Sequence, residues 1–104
     1  MAGSAKEILI GIVVDEVSTV TIEDITRFCA VRREKIVDLV AEGIIEPEGQ
    51  RPEEWRFSGR VLSRAKRAIR LESELDINLG AAAIILDLLD QIDDLRSALE
   101  RSGR

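Results

Sequence analysis

Thr21-Ile22-Glu23-Asp24-Ile25-Thr26-Arg27-Phe28-Cys29, then Arg33-Glu34-Lys35-Ile36-Val37-Asp38-Leu39-Val40-Ala41-Glu42-Gly43-Ile44-Ile45-Glu46-Pro47, is the stretch whose reading decides the fold. Thr21 is placed to cap a helix, and Asp24 three residues on can return the favour, an approximate capping box. Val20 and Ile25 stand where a hydrophobic staple would put them. Ile22, Ile25, Phe28 and Cys29 recur at helical spacing, so a first helix is predicted over 22–29 with those residues on its buried face. A break at Ala30-Val31 separates it from a second helix, predicted over 33–42 on Ile36, Leu39 and Val40. Gly43 can take the left-handed conformation that ends a helix, and Pro47 prevents its continuation.

Working outward, residues 46–54 are rich in turn formers, and Trp55-Arg56-Phe57 alternates as a short strand would, with both aromatics on one face. Two short helices, a tight turn and a β-wing describe a winged helix-turn-helix; the alternative is any small α+β domain. Residues 7–14, apolar and β-branched, are predicted to be a strand that joins the wing and the stretch near Ile45 in a small sheet. Ser58 is a candidate cap for a third helix over 59–75, and Asn78 for a fourth over 79–100. The fold expected is mainly α: a winged helix-turn-helix with a small β-sheet, followed by two C-terminal helices. It forms a single domain over 1–104, with strand and winged helix-turn-helix in 7–57 and the helical pair in 58–100.

The chain has 104 residues, 45% hydrophobic and 34% charged, with a net charge of −5. That balance is globular. It disfavours nucleic acid, which selects basic surfaces, and favours a basic polypeptide. Histidine and tyrosine are absent and Cys29 is the lone cysteine. The commonest general base, the commonest zinc ligand and the usual nucleophile–base pair are therefore all missing. No enzyme, no cofactor and no metal site is expected. The apolar run 8–14 is too short to span a bilayer and no signal peptide is evident, so the protein is read as cytoplasmic with no membrane partner.

Charge along the second helix opposes its shape. A DNA reader would use Arg32, Arg33, Lys35, Arg51 and Arg56, but Glu34, Asp38, Glu42, Glu46, Glu48, Glu53 and Glu54 would meet the phosphates. The stretch with Arg60, Arg64, Lys66, Arg67 and Arg70 reads as a solvated face balanced by Glu72 and Glu74, with a phosphate-contacting stripe as its alternative. Ile85, Leu88, Ile92, Leu95 and Leu99 follow coiled-coil spacing, widened by Leu86 and Leu89. A symmetric dimer through Ile85, Leu88, Leu89, Ile92, Leu95 and Leu99 is expected, against simple packing on the chain's own domain. Asp87, Asp90 and Asp94 share a helix face, with Asp93 beside them. They read as a solvated acidic surface able to attract a basic partner. Trp55 reads as core, its alternative being an interface anchor.

These residues resemble a known family. Glu42-Gly43-Ile44-Ile45-Glu46-Pro47, Trp55-Arg56-Phe57, the run 64–75 from Arg64-Ala65-Lys66-Arg67 to Leu75, Leu79-Gly80-Ala81-Ala82-Ala83 and Leu86–Leu95, with Asp24–Cys29 before them, resemble the bacterial chaperone modulators called CbpM. That family is related to the MerR-type winged-helix regulators. Those usually carry an Arg-Tyr-Tyr-like triplet in the second helix, where this chain has Val37-Asp38-Leu39. The resemblance implies a homodimer that binds the J-domain of a DnaJ-like co-chaperone, CbpA, and inhibits its stimulation of the Hsp70 chaperone DnaK. Charge and expected exposure select Glu34, Val37, Asp38, Glu42, Asp87, Asp90 and Asp94 as partner-binding residues. The alternative is a MerR-like DNA-binding regulator.

Overall fold

The computed structural model describes residues 19–103; the strand expected over 7–14 lies outside them. In chain order come β1 (Thr19–Val20), α1 (Ile22–Cys29), α2 (Arg33–Ala41), a 3-10 turn (Pro52–Glu54), β2 (Phe57–Ser58), α3 (Val61–Leu75) and α4 (Leu79–Ser102).

The capping box at α1 forms in full: Thr21 N–H donates to Asp24 Oδ2 at 3.0 Å, and Asp24 N–H to Thr21 Oγ1 at 3.2 Å. Val20 and Ile25 are both fully buried, as a staple requires. The turn to α2 runs through Ala30 at φ 58°, a left-handed conformation that a Cβ disfavours. It is held by Val31 N–H donating to the Thr26 carbonyl at 3.2 Å. α2 ends one residue earlier than its spacing suggests, at Ala41. Gly43 N–H donates to the Val40 carbonyl at 3.0 Å and Ile44 N–H to Leu39 at 2.9 Å. That crossed pair is a Schellman ending, made possible by Gly43 at φ +75°.

The wing differs from the expected strand through 55–57. Pro52–Glu54 forms one 3-10 turn that Trp55 closes, and Arg56 joins Glu48 in an isolated antiparallel bridge. Only Phe57 and Ser58 pair with β1, Val20 opposite Phe57 and Thr19 opposite Ser58. Ile45 lies in the core rather than in that sheet. Two prolines and consecutive glutamates favour the turn over extension. The bend at the wing needs Gly49, at φ +116°, where an added Cβ would lie 2.8 Å from the Glu54 carbonyl oxygen. A Cβ on Gly43 would meet nothing within 4 Å. Gly43→Ala is expected to cost about 1 kcal/mol, the conformational penalty alone, and Gly49→Ala clearly more. Urea midpoints of the two variants check the order; equal losses would show that the wing relaxes freely.

α3 begins at Val61, two residues later than expected, with Arg60 as its cap residue. Ser58 is not the cap, although its Oγ accepts from Arg60 N–H at 3.1 Å. Asn78 does cap α4, accepting from Ala81 N–H at 2.8 Å. Val20, Ile22, Ile25, Ile36, Leu39, Ile44, Ile45, Phe57, Leu62, Ala65, Ala68, Leu79 and Leu86 make one hydrophobic cluster. α3 is its spine: it packs on α1, on α2 and most extensively on α4. Its buried Ala65 and Ala68 allow that close approach, since small side chains let helices meet on several sides. Trp55 is half-buried against this core and meets Phe57 edge-to-face, centroids 6.0 Å apart.

Candidate functional site: an acidic helix-turn-helix face and an uncovered helix

The cations that would serve a DNA reader are largely bonded within the protein. Arg33 pairs with Glu23 of α1 at 2.8 Å, and Lys35 with Glu72 of α3 at 2.8 Å. Arg51 pairs with Glu54 in the wing at 3.3 Å. Arg56 donates to the Trp55 carbonyl at 2.9 Å. Glu72, expected to balance its own helix, instead ties α3 to α2, whereas Glu74 stays with Arg70 at 3.4 Å.

Glu34 and Asp38, one turn apart on α2, are exposed and line a shallow depression of about 320 Å³ with Val31, Arg32 and Lys35. Of the other two residues expected beside them, Glu42 is exposed as well, whereas Val37 is placed differently. Val37 is half-buried and packs against the core, because its position between Ile36 and Leu39 turns it inward. Glu42 reaches α4: a Cβ on Gly80 would lie 3.4 Å from its Oε1. There the carboxylate sits at the positive end of the α4 dipole.

The acidic face of α4 is not free-standing. Arg64 donates to Asp87 and to Asp90, each at 2.7 Å, and its Nε donates to the Ile44 carbonyl at 2.6 Å. The side chains of Asp87 and Asp90 remain 67% and 57% exposed while that of Arg64 is only 23% exposed. Asp94 lies one turn further along, exposed. Arg64, Asp87 and Asp90 form part of the wall of an open groove of about 700 Å³, bounded by Gly43–Glu46, Ser58 and the start of α3. Sequence spacing places Arg64 in a basic stripe; no local signal shows that its partners stand on α4 and at the end of α2.

α4 changes character along its length. Leu79, Ala82 and Leu86 are buried against the domain, yet every residue from Gln91 to Gly103 is exposed. Leu88, Ile92, Leu95 and Leu99 are 52%, 44%, 64% and 70% exposed. Ile85 and Leu89 are half-buried, Leu89 in contact with the core, so they belong partly to the domain itself. The spacing missed two residues that extend the apolar surface, Ile84 and Leu75, each 63% exposed.

Cys29 is half-buried beside Lys66, whose ammonium lies 4.9 Å from the Phe28 ring centre. Burial pushes its thiol up to about 11, outweighing the opposite pull of Lys66. A thiol so protonated is a poor nucleophile. Among the described residues no polar or charged residue is buried, no group of acids or cysteine is arranged to hold a metal, and no helix is long and apolar enough to cross a membrane.

Comparison with known proteins agrees with this arrangement. Residues 20–102 match the model of the MerR HTH family regulatory proteins. A chaperone modulatory protein CbpM from Coxiella burnetii (strain Dugway 5J108-111) is 39% identical over 99 residues, covering 95% of this chain and 93% of the relative. Those of Pseudomonas entomophila (strain L48) and Pseudomonas putida are 40% and 37% identical over 62 and 67 residues, 60% and 64% of this chain and 61% and 66% of theirs. A helix-turn-helix whose reading helix has turned acidic, carried on a helical hairpin and matched along nearly its whole length, places the chain in the CbpM family of chaperone modulatory proteins, on a MerR-type scaffold.

Proposed function

We propose that the chain binds the J-domain of a DnaJ-like co-chaperone of the CbpA type and inhibits its stimulation of the Hsp70 chaperone DnaK, acting in the cytoplasm as a homodimer. The carrying observation is the state of α2: Arg33 and Lys35 are spent on Glu23 and Glu72, while Glu34 and Asp38 stand exposed. The face that a DNA reader would present as positive is therefore negative, and it suits a partner helix rich in Lys and Arg. Glu34 and Asp38 are proposed as one contact set, Asp87, Asp90 and Asp94 as the other. Val37 acts from within, by supporting the core, and the exposed Glu42 extends the first set at the end of α2, beside the start of α4. Leu88, Ile92, Leu95 and Leu99, flanked by Ile85 and Leu89, join the two copies. A modulator of this kind needs only to occupy the surface that the J-domain offers to DnaK, so no bond-making chemistry is required of it.

Titration calorimetry of the purified protein with a CbpA J-domain tests this. Binding is expected, weakening as salt rises because exposed ion pairs are screened. Asp38→Lys and Asp90→Lys are each expected to weaken it roughly tenfold, since like charges then face each other across the interface. Unchanged affinity in both variants would remove the site assignment.

The MerR-type scaffold keeps a DNA-binding regulator as the second reading, through Arg32, Arg33, Lys35, Arg51 and Arg56. A palindromic duplex should show no shift at physiological salt. A clear, salt-sensitive shift at submicromolar protein would favour this reading over the first.

A further inference from the structure

Arg64 occupies a place that neither its sequence context nor the family's general role explains. One guanidinium joins three parts of the fold. Its Nε–H bonds the Ile44 carbonyl just past the end of α2, and its two terminal nitrogens hold Asp87 and Asp90, three residues apart on α4. It is itself the least exposed of the three side chains. A planar fork with five donors can serve three acceptors at fixed angles; an ammonium cannot, because it is a point charge on a flexible stem.

We propose that Arg64 is a positioning residue for partner recognition: it locks α4 to the end of the helix-turn-helix and holds the Asp87 and Asp90 carboxylates as one preset pair. This deepens the J-domain reading above and rests on it. Each carboxylate gives one oxygen to Arg64 and, among the described residues, has its other oxygen without a hydrogen-bond donor. The pair thus offers two acceptors at a set spacing to an incoming Lys or Arg. Without the fork, two acids on an exposed helix face sample many rotamers, and ordering them on binding would oppose association. The bond to Ile44 also ties α3, and through Asp87 and Asp90 α4, to the chain just past the end of α2.

The inference makes a prediction opposite in sign to simple electrostatics. Removing a cation from an acidic face makes that face one unit more negative, and a basic partner should then bind more tightly. If Arg64 acts by position, the same change must weaken binding. Calorimetry with a CbpA J-domain is therefore run on the full chain, Arg64→Gln, Arg64→Lys, the double variant Asp87→Asn with Asp90→Asn, and the triple variant adding Arg64→Lys to that pair. Arg64→Gln is expected to bind at least about tenfold more weakly, and Arg64→Lys to show a clear loss despite keeping its charge. In the Asn background, Arg64→Lys should cost little more, because the three groups act as a unit. Backbone amide shifts of α2, recorded on each free variant, separate positioning from loss of fold.

Affinity unchanged or raised in Arg64→Gln would overturn the inference, as would losses that simply add in the triple variant. A double Asn variant that binds like the unaltered chain would overturn it by removing Asp87 and Asp90 from the interface. Failure of the unaltered chain to bind any J-domain would instead remove the underlying functional reading, and this inference with it.

Discussion

Leu88→Asp combined with Leu95→Asp is expected to leave a folded monomer, where the unaltered chain is expected to sediment as the proposed homodimer. From Gln91 onward α4 has no covered residue, and at 1.5 Å per residue that stretch extends roughly 18 Å beyond the domain. A free helical segment of about three turns is marginal in water, yet this one carries Ile92, Leu95 and Leu99 on one seam. Leu88, Ile92, Leu95 and Leu99 are all between 44% and 70% exposed, whereas Leu86 on the same helix is 1% exposed. Full burial of such side chains is worth roughly 1.5–3 kcal/mol each. Eight of them, four from each copy and already partly covered, amount to about 10 kcal/mol. Association itself costs roughly 4–15 kcal/mol. The margin is thin, so the dimer needs almost the whole stripe, and two aspartates per copy place four charges in it. Sedimentation equilibrium reads the mass and circular dichroism the helix content. A dimer that survives both substitutions would mean that the copies meet elsewhere, and an unaltered chain that sediments as a monomer would remove the interface altogether.

Phe57→Ala carries the largest expected effect on stability. Phe57 is 2% exposed, pairs with fully buried Val20 across the two strands, and meets Trp55 edge-to-face at 80°. Truncating a buried phenylalanine costs roughly 3–5 kcal/mol, from lost transfer energy and the cavity left behind. A domain of this size has roughly 5–15 kcal/mol in total, so the variant should unfold at a far lower urea concentration or fail to fold in water. Trp55→Ala removes a larger ring from a half-buried position and should cost less. If Phe57→Ala moved the urea midpoint no more than Trp55→Ala, the sheet would be an accessory to the core rather than its edge.

The capping box at Thr21 and Asp24, the Schellman ending at Gly43 and the cap at Asn78 depend on residues within a few positions of each other, so their spacing alone revealed them. The wing was less legible. Alternation at Trp55-Arg56-Phe57 suggested a strand, but the Pro52-Glu53-Glu54 turn took Trp55 out of it, and only the pairing with β1 defined what was extended.

The candidate site divided along the same line. Acidity of the second helix and the seam on the last one were plain, because charge and period are properties of a list of residues. Their availability was not. Lys35 is paired with Glu72, thirty-seven positions away, and Asp87 and Asp90 are held in place, still exposed, by Arg64, more than twenty positions away. Val37 turns inward and Glu42 toward α4 only because α2 packs where it does.

What the residue order determined by itself was therefore the set of helices, the caps at Thr21 and Asn78 and the ending at Gly43, the sign of the second helix and the presence of an apolar seam. Tertiary structure alone decided which charges remain unspent and which part of the seam lies uncovered. The reason is physical: caps and periodicity act over one or two turns of a single chain segment, whereas ion pairing and exposure depend on which segments the core brings together.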